Sequence, residues 1–269
     1  MNRTLDRGGA VLRVVDTGDG LPVIFQHGLG GDYAQVAKAL PEGHRCLTVE
    51  CRGHGGSSAG DARPFSIAMF ADDVCAAIDA AGIDRFVIGG ISMGAAIALR
   101  IAARQPDRVM GLALVRPAWL FDPAPETMRP NAEVAALLRA HPPAQGRALF
   151  LESQTGRFLA REAPDNLASL LGFFERPDTA SIAALLGDIA ADGPGVSEAE
   201  ASAIGVPTLT IGCGHDYVHP LSYARRLAEM TRGRFVEVAP KATEAARHFA
   251  DLRAALGIFF DTLAPERNT

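Results

Sequence analysis

The stretch Val87-Ile88-Gly89-Gly90-Ile91-Ser92-Met93-Gly94-Ala95-Ala96-Ile97-Ala98 limits what this chain can become more than any other. A short apolar run, which reads as a buried strand, enters a Gly-x-Ser-x-Gly turn. It leaves as an Ala-rich segment, residues 94–104, which reads as a helix. A serine on so sharp a strand-to-helix turn is held in a strained backbone conformation, with its hydroxyl above the edge of a sheet. Gly90 and Gly94 lack a Cβ, which lets strand and helix close around that serine. The five-residue pattern is weak evidence in a chain with 28 glycines. The strand before it and the helix after it make it strong.

The flanking sequence fits the same plan. Residues 11–15 alternate weakly and read as an edge strand. Residues 22–26 and 109–115 read as short buried strands, and 45–49, 207–211 and 234–238 as further strands. Helical patterns fall between them, at 33–40, 66–81, 221–230 and 247–263; Ser66 is an N-cap candidate and Gly82 a C-terminal stop. From residue 117 to about 205 strand signals vanish and amphipathic stretches appear at 132–139, 166–174 and 179–191. Short strands alternating with helices imply an α/β fold with a mostly parallel, doubly wound sheet. The expected division is a core of residues 1–116 and 206–269, with a helical cap insertion at 117–205.

Three motifs follow strands in order: His27-Gly28-Leu29-Gly30-Gly31, then Glu50-Cys51-Arg52-Gly53-His54-Gly55-Gly56-Ser57, then the Ser92 turn. Cys213-Gly214-His215-Asp216-Tyr217-Val218-His219-Pro220 follows a late strand. With these motifs the chain resembles the alpha/beta-hydrolase fold family with a helical cap. The resemblance covers essentially everything outside the cap. It implies Ser92 as nucleophile and Asp216 as triad acid, with the backbone N–H groups of Met93 and Leu29 as oxyanion donors. It implies a structural role for His27, bracing the oxyanion loop, and loop-structuring roles for Arg52 and His54. Glu50 stands where the family usually has Asp.

The base departs from the family pattern. Relatives carry it just after the last strand, where this chain reads Ala239-Pro240-Lys241-Ala242-Thr243-Glu244, without histidine. His248, one helical turn further on, is the expected base, reached by rewinding the loop; the alternative is an ordinary helix residue and a protein without a competent base. His215 and His219 read as solvent-facing or pocket-lining, and the usual zinc spacings are absent. Arg116 ends a strand at the edge where open α/β sheets bind ligands. With Trp119 it is a candidate grip on an acidic or aromatic substrate, the alternative being a salt bridge to a cap carboxylate.

Composition narrows the partners. The formal net charge is −5 and the 26 basic residues form no dense block, which argues against nucleic acid or an anionic membrane as partner. No apolar run approaches the ~20 residues of a membrane span, and the N-terminus has no signal-like apolar region. Cys46, Cys51, Cys75 and Cys213 are scattered without a CxxC pair, as in reduced thiols of a cytoplasmic protein. The expectation is a cofactor-free, metal-free hydrolase of a small ester, lactone or thioester. The alternatives are carbon–carbon bond hydrolysis of a diketone and a non-catalytic binding protein. Oligomeric state is not legible.

Overall fold

Among residues 2–264, which the computed structural model describes, eight strands form one sheet. In chain order they are β1 (Asn2–Arg7), β2 (Ala10–Thr17), β3 (Pro22–Gln26), β4 (Arg45–Val49), β5 (Phe86–Ile91), β6 (Val109–Val115), β7 (Thr208–Cys213) and β8 (Arg234–Val238). Their spatial order is β1-β2-β4-β3-β5-β6-β7-β8. The β1–β2 and β2–β4 pairs are antiparallel and the others parallel.

The strand expected at the edge, residues 11–15, is the second one in. The true edge is β1, which pairs Leu5 with Leu12 and Arg7 with Ala10. Its sequence, Asn-Arg-Thr-Leu-Asp-Arg, has one apolar residue, as suits a strand with an open side. Gly8 and Gly9 turn the hairpin with φ of +62° and +85°. Two successive left-handed residues match the strand twist, and glycine adopts them without strain.

Side chains alternate across the parallel strands. Ile24, Ile88, Leu112 and Leu114 face one side, under α2 (Ile67–Ala80) and α3 (Met93–Arg104), where Val74, Ile78, Ile97 and Ile101 pack. Val23, Phe25, Val87, Ala113 and Val115 face the other, with Val36 of α1 (Tyr33–Ala39) and Leu252, Leu256 and Phe260 of α11 (Ala245–Asp261). Ser66 caps α2, its side chain accepting from the Met69 amide at 3.1 Å. α10 (Leu221–Met230) lies between β7 and β8.

Between β6 and β7 the described chain is helical: α4 (Arg129–Ala140), α5 (Pro143–Glu152), α6 (Gln154–Glu162), α7 (Pro164–Leu171), α8 (Thr179–Ala191) and α9 (Glu198–Ser202). Val134, Phe150, Leu159, Leu170, Phe174 and Leu186 form a separate apolar cluster there. α8 joins this cap to the sheet. Its Ile182, Ala183 and Leu186 enter the cap cluster, while Leu185, Ile189 and Ala190 enter the main core. Its end also carries hydrogen bonds: Asp188 accepts from the Phe65 amide at 3.0 Å and Asp192 from the Ile67 amide at 2.7 Å.

Trp119 belongs to this seam, and the expectation that it lines the substrate site is corrected. It is 2% exposed in the main core, and its indole N–H donates to the Asp192 carbonyl at 2.9 Å. A ring read from sequence as following a strand end is turned inward, beneath α8.

Candidate active site

Three neighbouring parallel strands end at one edge of the sheet, and each delivers a polar side chain there: Ser92 after β5, Arg116 after β6 and Asp216 after β7. Ser92 has φ of +58° and ψ of −113°, a strained conformation for a residue with a side chain. Its amide donates to the Val115 carbonyl at 2.9 Å, which pins the turn to β6. A Cβ on Gly90 would strike the Gly94 backbone, and one on Gly94 would strike the Gln26 carbonyl. The tight serine turn therefore needs both glycines.

The ring that meets Ser92 is His219, not His248. His219 Nε2 lies 2.8 Å from Ser92 Oγ, and His219 Nδ1 lies 2.8 Å from Asp216 Oδ1. With Nδ1–H donated to the carboxylate, Nε2 is left to accept from the serine hydroxyl. The main-chain amide of His219 also donates to Asp216 Oδ1, at 3.1 Å. Asp216 and His219 thus sit three residues apart in one tight loop. The loop enters through the exposed His215, itself at φ of +55°.

His248 is buried elsewhere. It lies in the first turn of α11, and its Nδ1–H donates to the Ala239 carbonyl at 2.8 Å. That bond closes the loop after β8 and turns the ring toward its own backbone. The expected rewinding that would carry His248 to Ser92 is not present, and the expectation is corrected: the place beside Ser92 is held by His219. The sequence did hold a signal. An Asp-x-x-His spacing in a turn brings side chains i and i+3 together, and His219 immediately precedes Pro220 at the ligand-binding edge.

Asp216 is densely partnered. Oδ2 accepts from Arg116 Nε at 2.8 Å and pairs with Arg116 Nη2 at 2.6 Å, while Oδ1 also accepts from Asn166 Nδ2 at 2.9 Å. Burial opposes ionisation of this carboxyl, but Arg116, His219 and Asn166 together hold it well below the usual carboxylate range. His219 is pushed below the ordinary imidazole value first by burial; Asp216 pulls it up and the Arg116 cation pushes it down again.

Arg116, expected to grip substrate, lines the cavity with its guanidinium already engaged by Asp216. It also lies 3.5 Å from Asp165 of the cap, the alternative partner raised from sequence. Lys241, in the loop after β8, pairs with Asp165 at 2.7 Å and 3.0 Å.

The remaining loops are braced from within. The Cys51 amide donates to His27 Nε2 at 3.0 Å, so Nδ1 carries the proton and donates to the Gly28 carbonyl at 2.8 Å. Burial depresses this imidazole and keeps it neutral. Gln35 accepts from the Gly28 amide at 2.7 Å, and Arg176 of the cap donates to the Gly30 carbonyl at 2.7 Å. Glu50 accepts from Arg13, the Tyr33 amide and the Gly56 amide, at 2.8, 3.1 and 2.6 Å. Arg52 pairs with Asp73 at 2.7 and 3.0 Å, which is a brace for its loop. Met93 opens α3, where the first amides have no acceptor within the helix, and Leu29 lines the cavity facing Ser92.

The cavity over Ser92 measures about 280 Å³. Leu29, Ile91, Met128, Leu170, Phe173 and Val218 give it apolar walls. Asn131 of α4 is 6% exposed, lines the same space, and leaves its Oδ1 buried without a hydrogen-bond partner.

A family model described as the alpha/beta hydrolase fold matches residues 22–140. A RutD protein of Variovorax paradoxus, provisionally named a carbamate hydrolase, is 31% identical over 78% of this chain and 80% of its own. This chain is an alpha/beta hydrolase. A pyrrolizixenacetamide deacetylase of Xenorhabdus hominickii is 27% identical over 84% of this hydrolase and 85% of its own length. Among solved structures, the enol-lactonase of Burkholderia xenovorans LB400 is 26% identical over 96% of this chain and all of its own, with a TM-score of 0.72. No helix among the described residues is long and apolar enough to cross a membrane.

Proposed function

We propose that this alpha/beta hydrolase cleaves a small acyl compound through an acyl-enzyme on Ser92, with His219 as base and Asp216 as the acid that orients it. The observation that carries the reading is the continuous chain from Ser92 Oγ to His219 Nε2, and from His219 Nδ1 to Asp216, at 2.8 Å for each step.

Ser92 Oγ attacks the carbonyl carbon while its proton passes to His219 Nε2. Asp216 stabilises the imidazolium and holds the tautomer without taking the proton. The Met93 and Leu29 amides meet the negative oxygen as it develops. As the acyl–heteroatom bond breaks, His219 returns the proton to the leaving group. Water, deprotonated by the same ring, then releases the acid and regenerates the serine.

A cavity of about 280 Å³ lies at the small end of ligand sites, which favours a compact ester, lactone or thioester. The unpaired Asn131 favours a substrate with a polar group beyond the scissile bond. The enol-lactonase and the deacetylase named above add lactones and acetyl amides to the classes to test, and the RutD relative adds carbamates. Four free cysteines, without a disulfide, are consistent with a cytoplasmic setting.

The test is a fluorophosphonate label on the whole protein, followed by a panel of esters, lactones, thioesters, acetyl amides and carbamates. Labelling is expected at Ser92. Ser92→Ala should fold, lose the label and lose at least ~10³-fold in kcat on the best substrate. An unlabelled wild type, or a Ser92→Ala variant with retained turnover, would contradict the reading.

A further inference from the structure

The loop that carries both acid and base is completed by a side chain from the cap. Asn166 lies in the first turn of α7 and is 3% exposed. Its Oδ1 accepts from two consecutive amides, Tyr217 at 2.8 Å and Val218 at 3.0 Å, the two residues between Asp216 and His219. Its Nδ2 donates to Asp216 Oδ1 at 2.9 Å, the same oxygen that receives His219 Nδ1. One carboxamide therefore fills the inside of the turn from acid to base. Without it, two main-chain amides, that of Val218 buried and that of Tyr217 half-buried, and one carboxylate lone pair lose their partner together.

The neighbouring cap contacts fall around the same centre. Asp165, the preceding residue, pairs with Lys241 and lies beside Arg116, and Arg176 holds the Gly30 carbonyl. The cap is thus docked on this edge from several sides; Tyr217 also meets it, at the Glu126 carbonyl and the Phe158 ring, but Asn166 is the contact that bonds Asp216 itself.

We propose that Asn166 is a positioning residue for the triad: from the cap, it sets the turn that aims His219 at Ser92, so that proton transfer depends on the cap being docked. The inference rests on the proposed roles of Ser92, His219 and Asp216. It makes Asn166 act through His219 and Asp216 and not through substrate. It also accounts for a base placed only three residues from its acid. So short a loop reaches Ser92 only when its inner face is tied down.

The experiment measures the rate of Ser92 labelling by a fluorophosphonate across pH, for wild type, Asn166→Ala and Asn166→Asp, with a thermal melt on each. Labelling needs no natural substrate, so it reads the serine and its base alone. Asn166→Ala is expected to label roughly 10- to 100-fold more slowly, the worth of hydrogen bonds to a charged group. Asn166→Asp keeps the acceptor for both amides but sets a second carboxylate against Asp216. The added negative charge favours the imidazolium, so the acid limb of labelling should move up by about one pH unit.

If Asn166→Ala does not fold, the near-isosteric Asn166→Asp decides through its limb. Wild-type rates and an unmoved limb in the folded variants, or a loss confined to the melting temperature, would overturn the proposal. A wild type that does not label at all would instead overturn the serine-hydrolase reading on which it stands.

Discussion

Asp216 Oδ2 faces a buried guanidinium while Oδ1 faces the His219 ring, and this division sets the electrostatics of the site. In the proposed role of base, His219 must be neutral. Burial and Arg116 depress its pKa against the pull of Asp216, so the acid limb of kcat/KM should fall below the ~6.5 of an ordinary imidazole. Arg116→Met removes a cation that favours the neutral ring, so the limb should rise. The same change strips Asp216 of its principal ion-pair partner and should cost roughly 3 kcal/mol of stability. A pH–rate series from 4.5 to 8 with a denaturation curve checks both effects, and a limb that stays put would detach Arg116 from the base. Arg116 was legible in the sequence as a residue of the active edge. Its partner was not, because the spacing of 116 and 216 along the chain carries no trace of two strand ends meeting.

At the scale of elements, the serine turn is a contact between backbones. β5 approaches α3, and α3 approaches the end of β3, so closely that Gly90 and Gly94 have no room for a Cβ, and the obstacles are main-chain atoms that cannot swing aside. Gly94→Ala should therefore destabilise the protein by about 1–3 kcal/mol, the range for overpacking, and should lower the labelling of Ser92 in the folded fraction. A variant with unchanged melting and labelling would mean the turn relaxes easily. This element was readable in advance, since a strand, a Gly-x-Ser-x-Gly turn and a helix are all local patterns. So were the buried parallel strands, whose apolar runs mark them whatever their neighbours. β1 was not, because a polar edge strand lacks that signature; only the Gly8-Gly9 pair hinted at a hairpin.

Across the whole molecule, core and cap jointly build the proposed catalytic centre. The sheet edge presents Ser92, Arg116 and Asp216, α7 braces the loop between acid and base through Asn166, and α8 sews the cap to the sheet around Trp119. Such long-range assembly explains why sequence placed Trp119 at the substrate and His248 at the serine. Both positions were inferred from nearness along the chain to a strand end, whereas burial beneath α8 and a bond to the Ala239 carbonyl decide where the rings go. The loop after β8 gives up the histidine position and offers Lys241 to Asp165 instead. The central claim is that the base has its place beside the acid, in the loop after β7. Steady-state turnover on the best substrate, compared for His219→Ala and His248→Ala, tests it most directly. His219→Ala should lose kcat by a factor comparable to Ser92→Ala, at least ~10³-fold, while a folded His248→Ala should stay within about tenfold of wild type. The reverse order, with His248→Ala inactive and His219→Ala active, would contradict the account.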